Sequence, residues 1–266
     1  MVLVAAPLCV DAQWAVYRDP TLPRTRDGKP NLSAPTPRLN GKPDLSGIWQ
    51  AESAPVAEIR QFLLPSGING LGEDLPTKYF FNFFADYPAG QEPFRPDVRA
   101  QLAQRPPGPP AAPTLCSLPT LPLQGLAPAP FKIVQTTRLT MVLYEVDTIF
   151  RQIFSDGRTL PSDPQPSWLG YSVGKWAGDA FVVETVGFND KGPIDLLGHP
   201  RSESTRLTET FRRPDLGHMD VQIVIDDPKN YTKPVTIVVK HRLVPDTELL
   251  ESFCHENEKD LAHMPK

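Results

Sequence analysis

The chain has no apolar run of about 18 residues, the length a membrane-crossing helix requires, so a transmembrane helix is excluded. It also lacks a basic excess. Twenty-seven lysines and arginines face 31 acids, a formal net charge of −4. General binding to nucleic acid or to anionic membrane needs a basic face to neutralise phosphate, so no nucleic-acid partner is expected. Arg206, Arg212 and Arg213 do cluster, but acids sit among them and they read as a solvated strand face. Histidine is sparse at 5 residues. His199, His218, His255 and His263 show no metal-ligand spacing, and the second histidine of an H-E-x-x-H motif beginning at His255 would fall at Lys259. No metal is expected. No glycine-rich phosphate loop follows a strand pattern, so no cofactor is nominated either.

Proline is abundant: 32 residues, of which 22 lie in the first 130. It removes a backbone donor and disfavours helix for the residue before it, so this half must be mostly extended or irregular. A hydrophobic content of 40% with 22% charged residues still describes a globular chain. Met1 to Cys9 is apolar and is followed by small residues at Val10-Asp11-Ala12, which reads as the back half of a secretory signal over 1–12. The alternative is a short buried strand. Segment 13–130 is expected to pack as a proline-rich wrapping on the domain, contributing a strand near 47–51, with a tail over 257–266. Without residues 1–12, Cys116 and Cys254 remain as an even pair, a disulfide candidate in an exported chain; two buried thiols are the alternative.

Within the wrapping, Asp27-Gly-Lys-Pro-Asn-Leu-Ser33 recurs as Asn40-Gly-Lys-Pro-Asp-Leu-Ser46, each copy joining a glycine turn to a proline-fixed extended step. Tyr79 to Phe84 forms a dense aromatic cluster, expected to plug the domain, and Pro96 to Gln104 suits one short helix with proline at its start. From Phe131 the texture changes to β-branched runs broken by turns, predicting strands at 131–136, 138–146, 148–154, 171–177, 180–187, 204–213, 218–226, 235–243 and 248–254. Gly178-Asp179 turns a hairpin between two of them. The expected fold is all-β over 131–256: an antiparallel up-and-down barrel or strongly twisted meander, lipocalin-like by analogy.

Period-two alternation assigns faces. Val235, Ile237, Val239, His241 and Leu243 share one, and Thr205, Leu207 and Phe211 share one with Glu209. A carboxylate between Leu207 and Phe211 must be paired, hydrogen-bonded or solvated by a cavity, and desolvation would raise its pKa, as in a general acid or base. The bland alternative is that Glu209 lies at a strand end and bonds an arginine. For His241 the satisfied core histidine is the simpler reading. Between two strands runs a long loop with Phe188, Asn189, Asp195 and His199, which Trp168 and Tyr171 could join at a barrel rim. Gly170-Tyr-Ser172-Val-Gly174 matches the nucleophile elbow of serine hydrolases, but no helix follows it, and Ser172 reads as a strand residue.

The segments GKPDLSGIW (41–49), YEVDTIFRQIFSDGR (144–158), SVGKWAGDAFVVETVGFND (172–190), LTETFRR (207–213), IDDPKNYTKP (225–234) and PDTELLESFCHEN (245–257) resemble a large uncharacterised family of secreted bacterial proteins, common in acidobacterial and other soil-bacterial genomes. The resemblance covers most of the chain after Asp27 and implies the fold and a periplasmic or secreted location, but no activity. Both Cys116 and Cys254 fit it, which favours the disulfide. This chain departs from it before Asp195, where Pro193-Ile194 stand in place of a tryptophan. Three functions stay open: a barrel binding a small, largely apolar ligand, with Trp168, Tyr171, Phe188, Asn189, Phe211 and His241 as candidate contacts; a cofactor-free isomerase, lyase or hydrolase using Glu209 with His199 and Asp195; and a structural envelope module.

Overall fold

Short runs of β-branched and aromatic residues between glycine and proline turns become strands because alternate side chains can be buried while the turn residues reverse the chain. The computed structural model describes residues 17–59, 77–105 and 120–252. Its elements in chain order are β1 (Arg38–Leu39), β2 (Lys42–Pro43), β3 (Gly47–Ala51), α1 (Val56–Ile59), α2 (Lys78–Phe81), α3 (Pro96–Ala103), α4 (Leu123–Leu126), β4 (Phe131–Gln135), β5 (Leu139–Tyr144), β6 (Phe150–Phe154), β7 (Tyr171–Ala177), β8 (Ala180–Val186), β9 (Arg206–Arg212), β10 (His218–Asp226) and β11 (Val235–Leu243). The Cys116–Cys254 pair and the expected signal segment over 1–12 lie outside the described residues.

Strands β3 to β11 close into a nine-stranded barrel, with β11 returning to pair with β3. The all-β barrel expectation holds, with two corrections. The strand expected at 248–254 does not form among the described residues, where only an isolated bridge joins Ser252 to Val146. Its place is taken by β3, whose Trp49 pairs with both Leu243 and Phe131. The barrel is also not purely up-and-down, because β6 and β7 run parallel, with Ile153 beside Ser172. Parity requires such a seam. Strands that alternate in direction cannot close around an odd number without one parallel pair. The connector at 155–170 is long enough to carry the chain back along the barrel, as a parallel pairing demands.

Alternation then divides the barrel. Leu207, Glu209 and Phe211 of β9 face Ile225, Ile223 and Val221 of β10 across the register, and Val183 of β8 sits beside Glu209 on the other side. All are buried on the inner face. Gly174 makes room there: a Cβ at that position would lie 2.2 Å from the Phe181 ring.

The two ends of the barrel are built differently. At one, the indole of Trp49 donates to the Leu45 carbonyl at 2.9 Å, and the Arg213 guanidinium lies 4.7 Å from the indole ring centre. Arg213 also donates to the carbonyls of Asp44, Ser46, Asp215 and Leu216. It is buried, which corrects its assignment to a solvated face: Arg206 and Arg212 are exposed, but Arg213 lies just past β9 and folds over the barrel end. Gly47, at φ +142°, completes the seal, since a Cβ there would sit 2.6 Å from Leu243. The opposite end is covered by residues 77–105, by α4 and by the 187–205 loop. Phe83 and Phe84 are buried there as the expected plug, and α3 begins at Pro96. The tandem repeat forms two turns, with Gly28 and Gly41 both at positive φ as their tightness requires.

Candidate functional site

Inside the barrel, one polar chain spans four strands. Arg151 shares the inner face of β6 with Ile153, and both are buried. Its Nε donates to Ser172 Oγ at 3.0 Å, and its Nη2 donates to Thr185 Oγ1 at 2.7 Å and to Glu209 Oε2 at 2.5 Å. Ser172 and Thr185 are themselves 3.0 Å apart. The arrangement follows from register: Ser172 pairs with Thr185, and Thr185 with Leu207, two residues from Glu209. Glu209 is therefore mid-strand and bonded to an arginine of another strand, so the strand-end alternative is corrected while its arginine partner is retained. Burial alone would lower the Arg151 pKa, but the charge of Glu209 and the neighbouring Tyr144 outweigh it, and Arg151 is held above its ordinary value as a cation. Tyr144 is itself pushed up to about 12, chiefly by burial.

Two features leave this cluster incomplete. Arg151 Nη1 is buried with no hydrogen-bond partner among the described residues. Such an orphan donor costs about 1–3 kcal/mol, so it calls for a bound partner or a functional reason. The Glu209 side chain keeps 8% of its exposure against 1% for Arg151.

His241 lies on the same inner face of β11, buried, with its ring edge 5.4 Å from the Phe131 centre. Its Nε2 is 3.3 Å from the Gly125 carbonyl, which can only accept. Nδ1 has no hydrogen-bond partner among the described residues, and the carbonyls of Gly125, Val239 and Met219 oppose part of the effect of burial on the ring. Burial pushes the His241 pKa down to about 4, leaving the ring neutral at pH 7. Phe211 also lines the lumen, 6.4 Å from Phe181.

The loop residues form a separate cluster at the covered end. Asp195 is fully buried; it accepts from the Phe83 amide at 2.7 Å and the His199 amide at 3.2 Å, and sits 2.5 Å from His199 Nδ1. His199 stacks on Phe94 at 5.1 Å and meets Phe84 edge-on at 4.9 Å. No contact among the described residues joins this dyad to Glu209, whose partners are all lumenal. Asn189, Phe188 and Trp168 do come together, but around Arg201, which the sequence reading did not single out. Its guanidinium lies 4.5 Å from the Phe188 ring centre and donates to Asn189 Oδ1 and to the carbonyls of Trp168, Asn189 and Leu121. Tyr171 points outward, stacked on Phe154 and bonded to Arg158. It is therefore away from both clusters, because Ser172 takes the inward position of that strand pair.

Ser172 is a buried strand residue engaged by Arg151 and Thr185, a setting unlike a nucleophile elbow. Among the described residues no group of three metal-ligating side chains is assembled, and no helix is long and apolar enough to cross a membrane. Comparison with protein-family models, with curated proteins and with solved structures finds no match.

Proposed function

We propose that this chain is a periplasmic or secreted β-barrel protein that binds a small, largely apolar ligand in the barrel lumen. The reading is carried by the Arg151–Glu209 pair, whose buried guanidinium keeps one nitrogen without a partner among the described residues while its carboxylate keeps slight exposure on the inner face. The surrounding inner face is apolar, with Phe131, Phe181, Leu207, Phe211 and Ile223 all buried on it. An apolar wall with a few convergent polar groups is the usual make-up of a small-molecule site. In this reading Phe211 and His241 are wall residues, and Trp168, Phe188 and Asn189 belong to the cover that Arg201 ties down. The secreted location rests on the apolar start of the chain and on the resemblance of its segments to secreted bacterial proteins.

The test is occupancy of the lumen. Native mass spectrometry and calorimetry with eight-carbon amphiphiles should give one molecule per chain. Ile223→Phe, which fills the lumen beside Glu209, should abolish that binding while far-ultraviolet circular dichroism stays unchanged. A folded Ile223→Phe protein that binds as well as the parent would sink the reading, and Val221→Phe provides a second lumen-filling variant.

The acid/base enzyme is kept as a second reading for one observation: Asp195 holds His199 by Nδ1, as a carboxylate orients a catalytic imidazole. In that case the reacting group meets His199 at the rim, and Glu209 takes no direct part.

A further inference from the structure

We propose, building on the lumen-binding reading, that the ligand's polar end is an uncharged group that accepts a hydrogen bond, a hydroxyl or primary amide rather than a carboxylate or an amine. The argument is a charge count in a low-dielectric space. Arg151 brings one positive charge, and Glu209, at 2.5 Å, cancels it. His241 adds none, since burial leaves it neutral. The lumen is then electrically balanced before any ligand arrives, and an ionic head would introduce a buried charge with no countercharge left to meet it.

The unfilled hydrogen-bonding position carries the same message. Arg151 Nη1 is a buried donor without a hydrogen-bond partner among the described residues. An ammonium could not accept from it, and a carboxylate would do so only by bringing an unbalanced charge. The oxygen of a hydroxyl or carboxamide accepts from it and carries no charge.

Three probes of equal chain length separate the possibilities by calorimetry at pH 8: octanamide, 1-octanol and octanoate. Octanamide and octanoate have nearly the same shape, so the comparison isolates charge. Binding of either neutral probe at least about tenfold tighter than octanoate supports the inference. Octanoate binding within tenfold of both neutral probes, or tighter, overturns it while leaving lumen binding intact. If none of the three binds, lumen binding itself fails and the inference falls with it. Glu209→Gln adds an independent arm. It leaves Arg151 uncompensated and should raise octanoate affinity at least about tenfold over the parent. A folded Glu209→Gln protein with unchanged octanoate affinity also overturns the charge argument.

Discussion

Glu209 and Asp195 are both buried acids in this barrel domain, and they are held in different ways. Asp195 is surrounded by donors from its own turn and from the 77–105 segment: two backbone amides and the ring of His199. Those bonds fasten the loop over the barrel end, and both carboxylate oxygens take part. Glu209 instead meets one arginine, through a single oxygen, and that arginine also binds two hydroxyls on the two strands between them. Its partner keeps an unmet donor among the described residues, and the carboxylate keeps slight exposure. The difference teaches how to tell a structural acid from a candidate binding group. Both are buried, so burial does not separate them, but the completeness of their partners does.

Removing Arg151 should have the largest effect. Arg151→Met strands Glu209 in the lumen without a countercharge and should cost about 3–5 kcal/mol of stability. The double variant Arg151→Met, Glu209→Gln should recover a large part of that loss. Urea denaturation of the two proteins measures both values, and equal destabilisation of single and double variants would break the description of Glu209 as an acid that depends on one partner.

The pH dependence of His241 comes next. Its pKa falls from 6.5 to about 4 on folding because of burial. As pH drops below 6.5 the unfolded chain takes up a proton that the folded protein refuses until about pH 4. The stability contributed by keeping this ring neutral is therefore complete above about pH 6.5 and lost as the pH falls to about 4, an overall change of about 3 kcal/mol. Replacing His241 by Gln should remove that component, so the parent-minus-variant difference in unfolding free energy, followed from pH 7 to 4.5, should decline as the medium becomes more acidic. A difference that stays flat across this window would show that the ring is not buried in neutral form.

Asp195→Asn should act more mildly and more locally. It weakens charge-assisted bonds to three donors, with an expected loss of about 2 kcal/mol. Hydrogen exchange should report it as faster exchange of the Phe83 amide, with the β10 amides unaffected. Uniform loosening of the barrel would contradict the view of Asp195 as a fastener of the covered end.

Much of the fold was legible because its signals are local. The β-branched runs and their turns predicted eight of the nine barrel strands in the second half of the chain, and the Gly47-Ile48-Trp49 start indicated the ninth. The strand misplaced at 248–254 shows the limit: its alternation resembles that of a strand, but the available sheet edge was already paired with β3. The parallel seam was likewise hidden, since it follows from the number of strands that close the barrel rather than from any one of them. At the candidate site, Glu209 stood out because its parity set it among Leu207 and Phe211. Arg151 carried the same signal, sharing a face with Ile153, but the flanking Phe150 and Phe154 made the opposite face look apolar too. Arg201 lies outside any expected strand, where no periodicity assigns a side, while Arg213 shares the parity of Leu207, Glu209 and Phe211 but was grouped with its exposed neighbours Arg206 and Arg212; both are held by carbonyls and rings of other segments.

Residue pattern alone thus determined that a β domain occupies the second half, that Glu209 and His241 face inward, and that proline leaves the first half with little sheet and only short helices, because each depends on backbone preference and parity within a few residues. Tertiary structure alone decided that Glu209 meets Arg151, that Asp195 belongs to the cover rather than to the lumen, and which end of the barrel Trp49 and Arg213 seal. Those outcomes depend on register between strands far apart in the chain, and on which buried charges that register leaves within reach of one another.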